Sequence, residues 1–322
     1  MRADLVVDAA PARLGHLNPP ALARLRDLLA EVLPGDAPTR AAFKEQVLLD
    51  PGFCPEDLVL AWAGSELVGF CHSAAEEVED GHRGWIVALG VRPGYRRKGI
   101  GRLLLEHAVE QLAGGGCQEV AVGGYEERYL FPGVDSERYP SAPSLFQRAG
   151  FELYGTAIAM GRALGAGECS GHAEDFGCEP PRDGDLPGLL ALAQGIRPSW
   201  GRLLRSYLSR SSDHSRVLIA RQRGAVVGFA ASDIFVDQPG RFGPVGVSAE
   251  QRGGGVGGRL LRASLASMSS RGDTRAWFLW APEDEAGRRL YASAGFLSER
   301  RFGLYRRRPA LLLSSSHDQR KA

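Results

Sequence analysis

The chain has 322 residues, 44% of them hydrophobic, with 39 basic side chains against 38 acidic ones and a net charge of +1. That balance excludes a basic nucleic-acid footprint and an acidic tail. No run reaches the ~18 apolar residues of a membrane span, and the length suits two domains of ordinary size.

Five cysteines, at 54, 71, 117, 169 and 178, are odd in number and scattered, unlike a disulfide framework. Cys169, His172 and Cys178 offer three metal donors in a Gly-rich stretch without a CxxC pair. A structural zinc site wants four placed ligands, so the stretch reads as a linker and no metal is expected. The N-terminus carries Asp4 and Asp8 inside its only apolar run, unlike a signal peptide. The expectation is a soluble, cytoplasmic protein; its oligomeric state is not legible.

In chain order, helical periodicity over 20–33 stops at Pro34-Gly35, and a second helix is predicted over 40–49. Strands follow at 58–63, 67–75 and 85–91. A helix over 99–113 has Ile100, Leu103, Leu104, Ala108 and Leu112 at helical spacing and stops at Gly114-Gly115-Gly116. A strand at 118–123, a helix at 143–149 and a strand at 151–162 complete this set. The same order then recurs: helices at 185–194 and 200–209, strands at 216–221, 226–235 and 242–247, a helix at 256–270, a strand at 275–281, a helix at 284–293 and a strand from 296. Each set is a mixed α/β unit in which an antiparallel meander precedes a strand–helix–strand.

The recurrence is also one of residues. Gly69-Phe70 returns as Gly228-Phe229, 159 residues on; Arg96 returns as Arg252, 156 on; Gly150-Phe151 returns as Gly295-Phe296, 145 on. Two tandem copies of one domain are predicted, 1–165 and 175–308, with a linker around 165–177 and a flexible tail at 309–322. The shrinking offset puts 11 extra residues in the first copy, within 125–140. Their aromatic and Pro/Gly content suits an ordered loop.

One stretch, Gly253-x-Gly255-x-x-Gly258, formally matches a dinucleotide fingerprint, with Asp273 ~20 residues further on. The first copy breaks that spacing, having Leu104 beyond Gly101. What both copies share is Arg96-x-x-Gly99-x-Gly101 and Arg252-x-x-Gly255-x-Gly257, each after a strand and before a helix. A helix N-terminus offers unsatisfied N–H groups and the positive end of the macrodipole. Glycines let a phosphate approach that backbone, and the arginine adds charge. Each copy is therefore predicted to bind a phosphate-bearing ligand. The turns follow three antiparallel strands rather than opening a domain, which excludes the dehydrogenase reading. A Walker loop is excluded by the missing Gly-Lys-Ser/Thr.

These residues resemble the GNAT superfamily of acyl-CoA-dependent N-acetyltransferases. Its pyrophosphate motif, Gln/Arg-x-x-Gly-x-Gly/Ala, is met by Arg96-Arg97-Lys98-Gly99-Ile100-Gly101 and by Arg252-Gly253-Gly254-Gly255-Val256-Gly257. Its later Tyr-x-x-x-Gly-Phe element is met by Tyr291 to Phe296, whereas the first copy has Phe146 at the tyrosine position. The resemblance implies two GNAT folds, acetyl-CoA as cofactor, and transfer of its acetyl group to a primary amine of a small molecule or peptide. A CoA-binding scaffold without turnover is the alternative.

The resemblance further implies that backbone groups at Leu89 and Val91, and at Val245 and Val247, pair with the pantetheine arm. Tyr291 becomes the proton donor to the departing thiolate. The first copy lacks it and is either a cofactor-binding domain or uses Tyr125, Tyr129 or Tyr139. For the base, Asp233 and Asp237 in the second copy and His72, Glu76 and Glu77 in the first stand near strand ends, and a water chain is an alternative.

Overall fold

The computed structural model describes residues 7–11, 19–78, 81–125, 131–165, 177–282 and 286–308. Its described residues fall into two compact units, one running to Gly155 and taking in the chain again from Gly303, the other Thr156–Phe302.

In the first unit, β1 (Val7–Pro11), β2 (Leu58–Ala63), β3 (Glu66–Val78) and β4 (Gly81–Val91) form an antiparallel meander, and β5 (Cys117–Val122) joins β4 in parallel. Helix α1 (Pro19–Val32) and the short α2 (Arg40–Phe43) cover one face through Leu25, Leu28, Val32 and Phe43. Helix α2 is capped by the Thr39 side chain, which accepts from the Ala42 amide at 3.1 Å, and runs on as a wider turn over Lys44–Leu48. Helix α3 (Ile100–Gly114) covers the other face through Ile100, Leu104, Ala108 and Leu112, while Leu103 of the predicted stripe is exposed, one position off the buried face. Helix α4 (Ala142–Arg148) follows β5.

The second unit repeats this plan. Strands β7 (Cys178–Glu179), β8 (Val217–Gln222), β9 (Ala225–Ser232) and β10 (Phe242–Val247) are antiparallel. Helices α5 (Leu186–Ile196) and α6 (Pro198–Arg210) pack on one face through Leu189 and Leu204, and α7 (Val256–Ser270) on the other through Val256, Leu260 and Leu261. Strand β11 (Arg275–Pro282) and α8 (Ala286–Ser293) complete it.

The repeated glycines mark close approaches. A Cβ on Gly69 would lie 2.9 Å from Leu104, and one on Gly228 would lie 2.9 Å from Leu260. Helices α3 and α7 therefore sit directly on the glycine of each Gly-Phe pair, while Phe70 and Phe229 are buried on the opposite face.

The contiguous spans expected from the repeats, 1–165 and 175–308, differ from the compact units by one strand each. Strand β6 (Glu152–Ala163) ends the first repeat, yet its residues from Ala157 to Ala163 pair with β11 in the second unit. Strand β12 (Leu297–Arg307) ends the second repeat, yet Tyr305, Arg306 and Arg307 pair with Val122, Ala121 and Val120 on β5 in the first. The physical reason is that pairing follows register and buried face, which are alike in the two repeats, and not chain connectivity. Arg307 then bonds Glu106 on α3 at 2.9 Å, and Gly303 exchanges backbone hydrogen bonds with Val134 of the predicted insertion.

Strands β1 and β7 have no counterpart in the predicted elements. The linker centre, the 309–322 tail, Tyr129, Cys169 and His172 lie outside the described residues; Cys178 is buried in β7.

Candidate active site

Strand β4 outruns its parallel neighbour. The last β4–β5 pair is Ile86 with Val122, after which Gly123 and Gly124, at φ 85° and 80°, turn the chain away. Residues 87–91 of β4 keep β3 on one side and, among the described residues, have no strand on the other. In the second unit the split is wider: among the described residues the chain meets β11 there at one parallel bridge, between Arg241, just before β10, and Trp277. Pro244, which has no N–H to give, lies in the irregular start of β10.

The backbone pattern says which groups face these openings. Arg92 donates its amide to the Val68 carbonyl at 2.8 Å, and Ser248 donates to Val227 at 2.9 Å. Along a strand the hydrogen-bonding direction alternates. Leu89 and Val91, and Val245 and Val247, therefore aim their N–H and C=O groups into the two openings. The Val91 carbonyl does accept there, from Arg96 Nε at 2.8 Å, and the Val247 carbonyl accepts from Arg252 Nε at 3.3 Å. An extended amide-bearing chain laid along either edge meets outward-facing donors and acceptors at every second residue, with the Val91 and Val247 carbonyls shared with an arginine.

Each edge runs into a helix N-terminus. Gly99 (φ 87°) opens α3 and Gly255 (φ 79°) opens α7, and neither helix has a side-chain cap. The first amides, from Ile100 and Val256 onward, are orphan donors. The space beside both glycines is open, with no atom within 4 Å of an added Cβ. Gly101 and Gly257 differ in kind. A Cβ there meets Leu145 at 3.4 Å or Leu290 at 3.6 Å, ordinary contact, so alanine fits. Arg96 and Arg252 are exposed beside these amides. This donor set, with its charge and open space, fits a pyrophosphate followed by an amide-bearing arm.

At the mouth of the second opening, Tyr291 on α8 lies 4.5 Å from the Phe278 ring, 5.9 Å from Phe296 and 6.3 Å from Phe242. Burial among these rings pushes its phenol up to about 12, so it holds its proton throughout the physiological range. Its hydroxyl has no protein partner among the described residues. A neutral phenol of this kind can give a proton to a stronger base. In the first unit Phe146 fills the same place, 5.7 Å from Phe151.

The opposite sheet face differs between the units. In the first, buried Asp50 accepts from Gly52 N at 2.8 Å and from the Tyr125 hydroxyl at 3.1 Å, and the Tyr125 ring lies 5.5 Å from Trp85. Tyr125 thus has its proton engaged, and Tyr139 donates to Asp36 at 2.9 Å. His72 is buried beside Phe53, with Nδ1 unbonded, and burial lowers it to about 4, so it is neutral at pH 7. In the second unit Arg241 takes the place of Trp85, buried over the Phe235 ring at 3.7 Å. Asp233 accepts from Arg216 at 2.8 Å, from Arg271 at 2.9 Å and from the Gly240 amide. Its oxygens are thus committed to Arg216, Arg271 and the Gly240 turn. The Asp50–Tyr125–Trp85 grouping was not legible beforehand, because its members are brought together from three separated segments.

A family model described as "Acetyltransferase (GNAT) family" matches residues 22–128, and a second, "Acetyltransferase (GNAT) domain", matches 213–297. The chain is a tandem GNAT acetyltransferase. It is 29% identical over 256 residues to a protein of Thermobispora bispora named mycothiol acetyltransferase, covering 74% of this chain and 79% of that one. A protein of the same name from Amycolatopsis mediterranei is 26% identical, with 74% of this chain and 80% of the relative covered. Among solved structures, a tandem GNAT protein from the clavulanic acid biosynthesis pathway superposes with a TM-score of 0.67 at 18% identity, over 95% of this chain and all of that one. A glucosamine N-acetyltransferase region of a fungal multi-domain β-N-acetylglucosaminidase gives 0.76 at 19% identity, over 95% of this chain; the match spans 38% of that longer chain. At these identities the structural likenesses establish the fold.

As a GNAT enzyme the chain transfers an acetyl group to an amine, and the family draws that group from acetyl-CoA. No helix among the described residues is long and apolar enough to cross a membrane.

Proposed function

We propose that both GNAT units bind acetyl-CoA and that transfer to a small-molecule or peptide amine runs in the second unit. The carrying observation is the repeated cradle: an open strand edge leading to an uncapped helix N-terminus, with a glycine at positive φ and an arginine outside it. In the first unit this assigns cofactor contacts to Leu89 and Val91 and to Arg96, Arg97, Lys98, Gly99, Ile100 and Gly101. In the second it assigns them to Val245 and Val247 and to Arg252, Gly253, Gly254, Gly255, Val256 and Gly257.

Acetyl-CoA, when bound, supplies an acyl carbon activated by a thiolate leaving group. The chain's own residues do the rest. The outward N–H of Val247 polarises a carbonyl laid along β10. Tyr291, neutral up to about pH 12, delivers a proton to the departing sulfur and regains it from solvent. Asp233 is held by Arg216, Arg271 and the Gly240 amide, and the amine proton leaves through water. The relatives' name makes a mycothiol-related amine the first acceptor to try. The site is expected in a cytoplasmic protein acting without nucleic acid or membrane.

The test is thiol release from acetyl-CoA across a panel of amines. Turnover with at least one amine, lost in Tyr291→Phe while CoA still binds, supports the assignment. An unchanged rate in Tyr291→Phe removes Tyr291 from the chemistry.

A further inference from the structure

The exchange of last strands puts a tyrosine where the first unit lacks one. Tyr305 lies on β12, paired with Val122, the residue at which β4 and β5 part. Its ring stacks on Phe146 at 6.0 Å and 27°. It leans toward the open end: an added Cβ on Gly303 would lie 2.9 Å from its ring and 3.4 Å from its hydroxyl. Gly303 is thus the residue that makes room for the ring. By the repeat offset Tyr305 corresponds to Met160, which pairs with Phe278 just as Tyr305 pairs with Val122. The second unit therefore has its tyrosine on the helix beside a methionine strand. The first has its phenylalanine on the helix beside a tyrosine strand.

Packing alone does not explain the hydroxyl. Phenylalanine would stack equally well on Phe146, so the ring contact does not account for the hydroxyl. That hydroxyl has no protein partner among the described residues and is not sealed from solvent. Burial also raises its pKa, so it keeps its proton.

We propose that Tyr305, contributed by the last strand of the second repeat, is the proton donor to the coenzyme A sulfur in the first unit. This rests on the reading that the first unit binds acetyl-CoA. The step balances simply. The amine nitrogen bonds to the acetyl carbon as the carbon–sulfur bond breaks, and the sulfur keeps the bonding pair. The amine gives up a proton to water, and Tyr305 gives its proton to the sulfur and is reprotonated from solvent. The first unit then becomes a second transfer site rather than a bare cofactor holder, with two acceptor faces of unlike chemistry in one chain.

The test reads binding, so it needs no known acceptor. Arg252→Glu, an exposed change, disables the second cradle. Coenzyme A and desulfo-coenzyme A are titrated calorimetrically into this full-length variant at pH 7 and at pH 9.5, above the ~8.5 of an ordinary thiol. Adding Tyr305→Phe is expected to weaken coenzyme A about tenfold at pH 9.5. The loss at pH 7 is smaller, and desulfo-coenzyme A is unaffected at both. Equal losses for the two ligands, or no loss, overturn the role of Tyr305. Failure of the Arg252→Glu protein to bind coenzyme A at all overturns the first-unit reading beneath it.

Discussion

The two phosphate turns share a backbone and differ in what it carries. Positions 97 and 253 both have positive φ, 63° and 77°. The second turn puts glycine there, at no steric cost. The first puts arginine there, followed by Lys98, whose ammonium sits 5.0 Å from the Tyr95 ring. Tyr95 is in turn held by Glu66 at 2.8 Å, and Glu66 pairs with Arg92 at 2.6 Å. The corresponding residues of the second unit are Gln251, Ala225 and Ser248, which have no such ion pair to offer. The first turn thus accepts local backbone strain and gains two cations and a brace; the second is relaxed and nearly neutral. The difference teaches that the same cradle is tuned for cofactor grip in one unit, and paired with a helix tyrosine in the other.

The largest expected effect falls on chemistry. Tyr291→Phe should lower turnover in the second unit about 100-fold, the usual worth of a positioned acid, with coenzyme A affinity unchanged. Steady-state thiol release at saturating acetyl-CoA reads it. A matching loss of affinity would mean that Tyr291 holds the ligand instead.

Stability in acid separates the units next. His72 has no counterpart in the second unit, where Ala231 stands. Its folded pKa, about 4, lies below the ordinary 6.5, so the unfolded chain binds more protons between those values. The His72 contribution is full above pH 6.5 and falls by up to about 3 kcal/mol as the pH drops to 4. Asp57, raised by burial to about 6, acts in the opposite sense over part of that window. The clean measurement is therefore the difference in urea stability between wild type and His72→Leu. It should shift in favour of the variant as the pH falls from 7 to 5. A constant difference would show that His72 is not buried neutral.

The smallest effect tests the strain argument. Arg97→Gly should raise stability by a few tenths to about 1 kcal/mol, since glycine pays no αL penalty. It should also weaken coenzyme A at the first site. Gly253→Arg should do the reverse. A thermal melt and a titration of each variant suffice; loss of stability in Arg97→Gly would contradict the account.

Much of this was legible in the sequence because each repeated signal has a local cause. Gly99 and Gly255 are needed for a left-handed helix entry, and Gly69 and Gly228 for helices lying on bare backbone. β-branched and apolar runs bounded by turn residues mark the strands, whereas the cofactor contacts at Leu89, Val91, Val245 and Val247 follow only from the family resemblance. What was hidden depends on pairing across distance. The sequence does not say that β6 and β12 trade sheets, because both carry compatible registers. It does not say that Asp233 is bound by Arg216 and Arg271, or that Arg97 sits at positive φ. Tyr305, outside every local motif, meets Phe146 only once the strand is placed.

The central claim is that both cradles hold coenzyme A. Isothermal titration of the full chain tests it most directly, with Arg96→Glu and Arg252→Glu as the two one-site variants. Two sites per chain in wild type, and one in each variant, is the predicted result. A single site that neither substitution disturbs would contradict it.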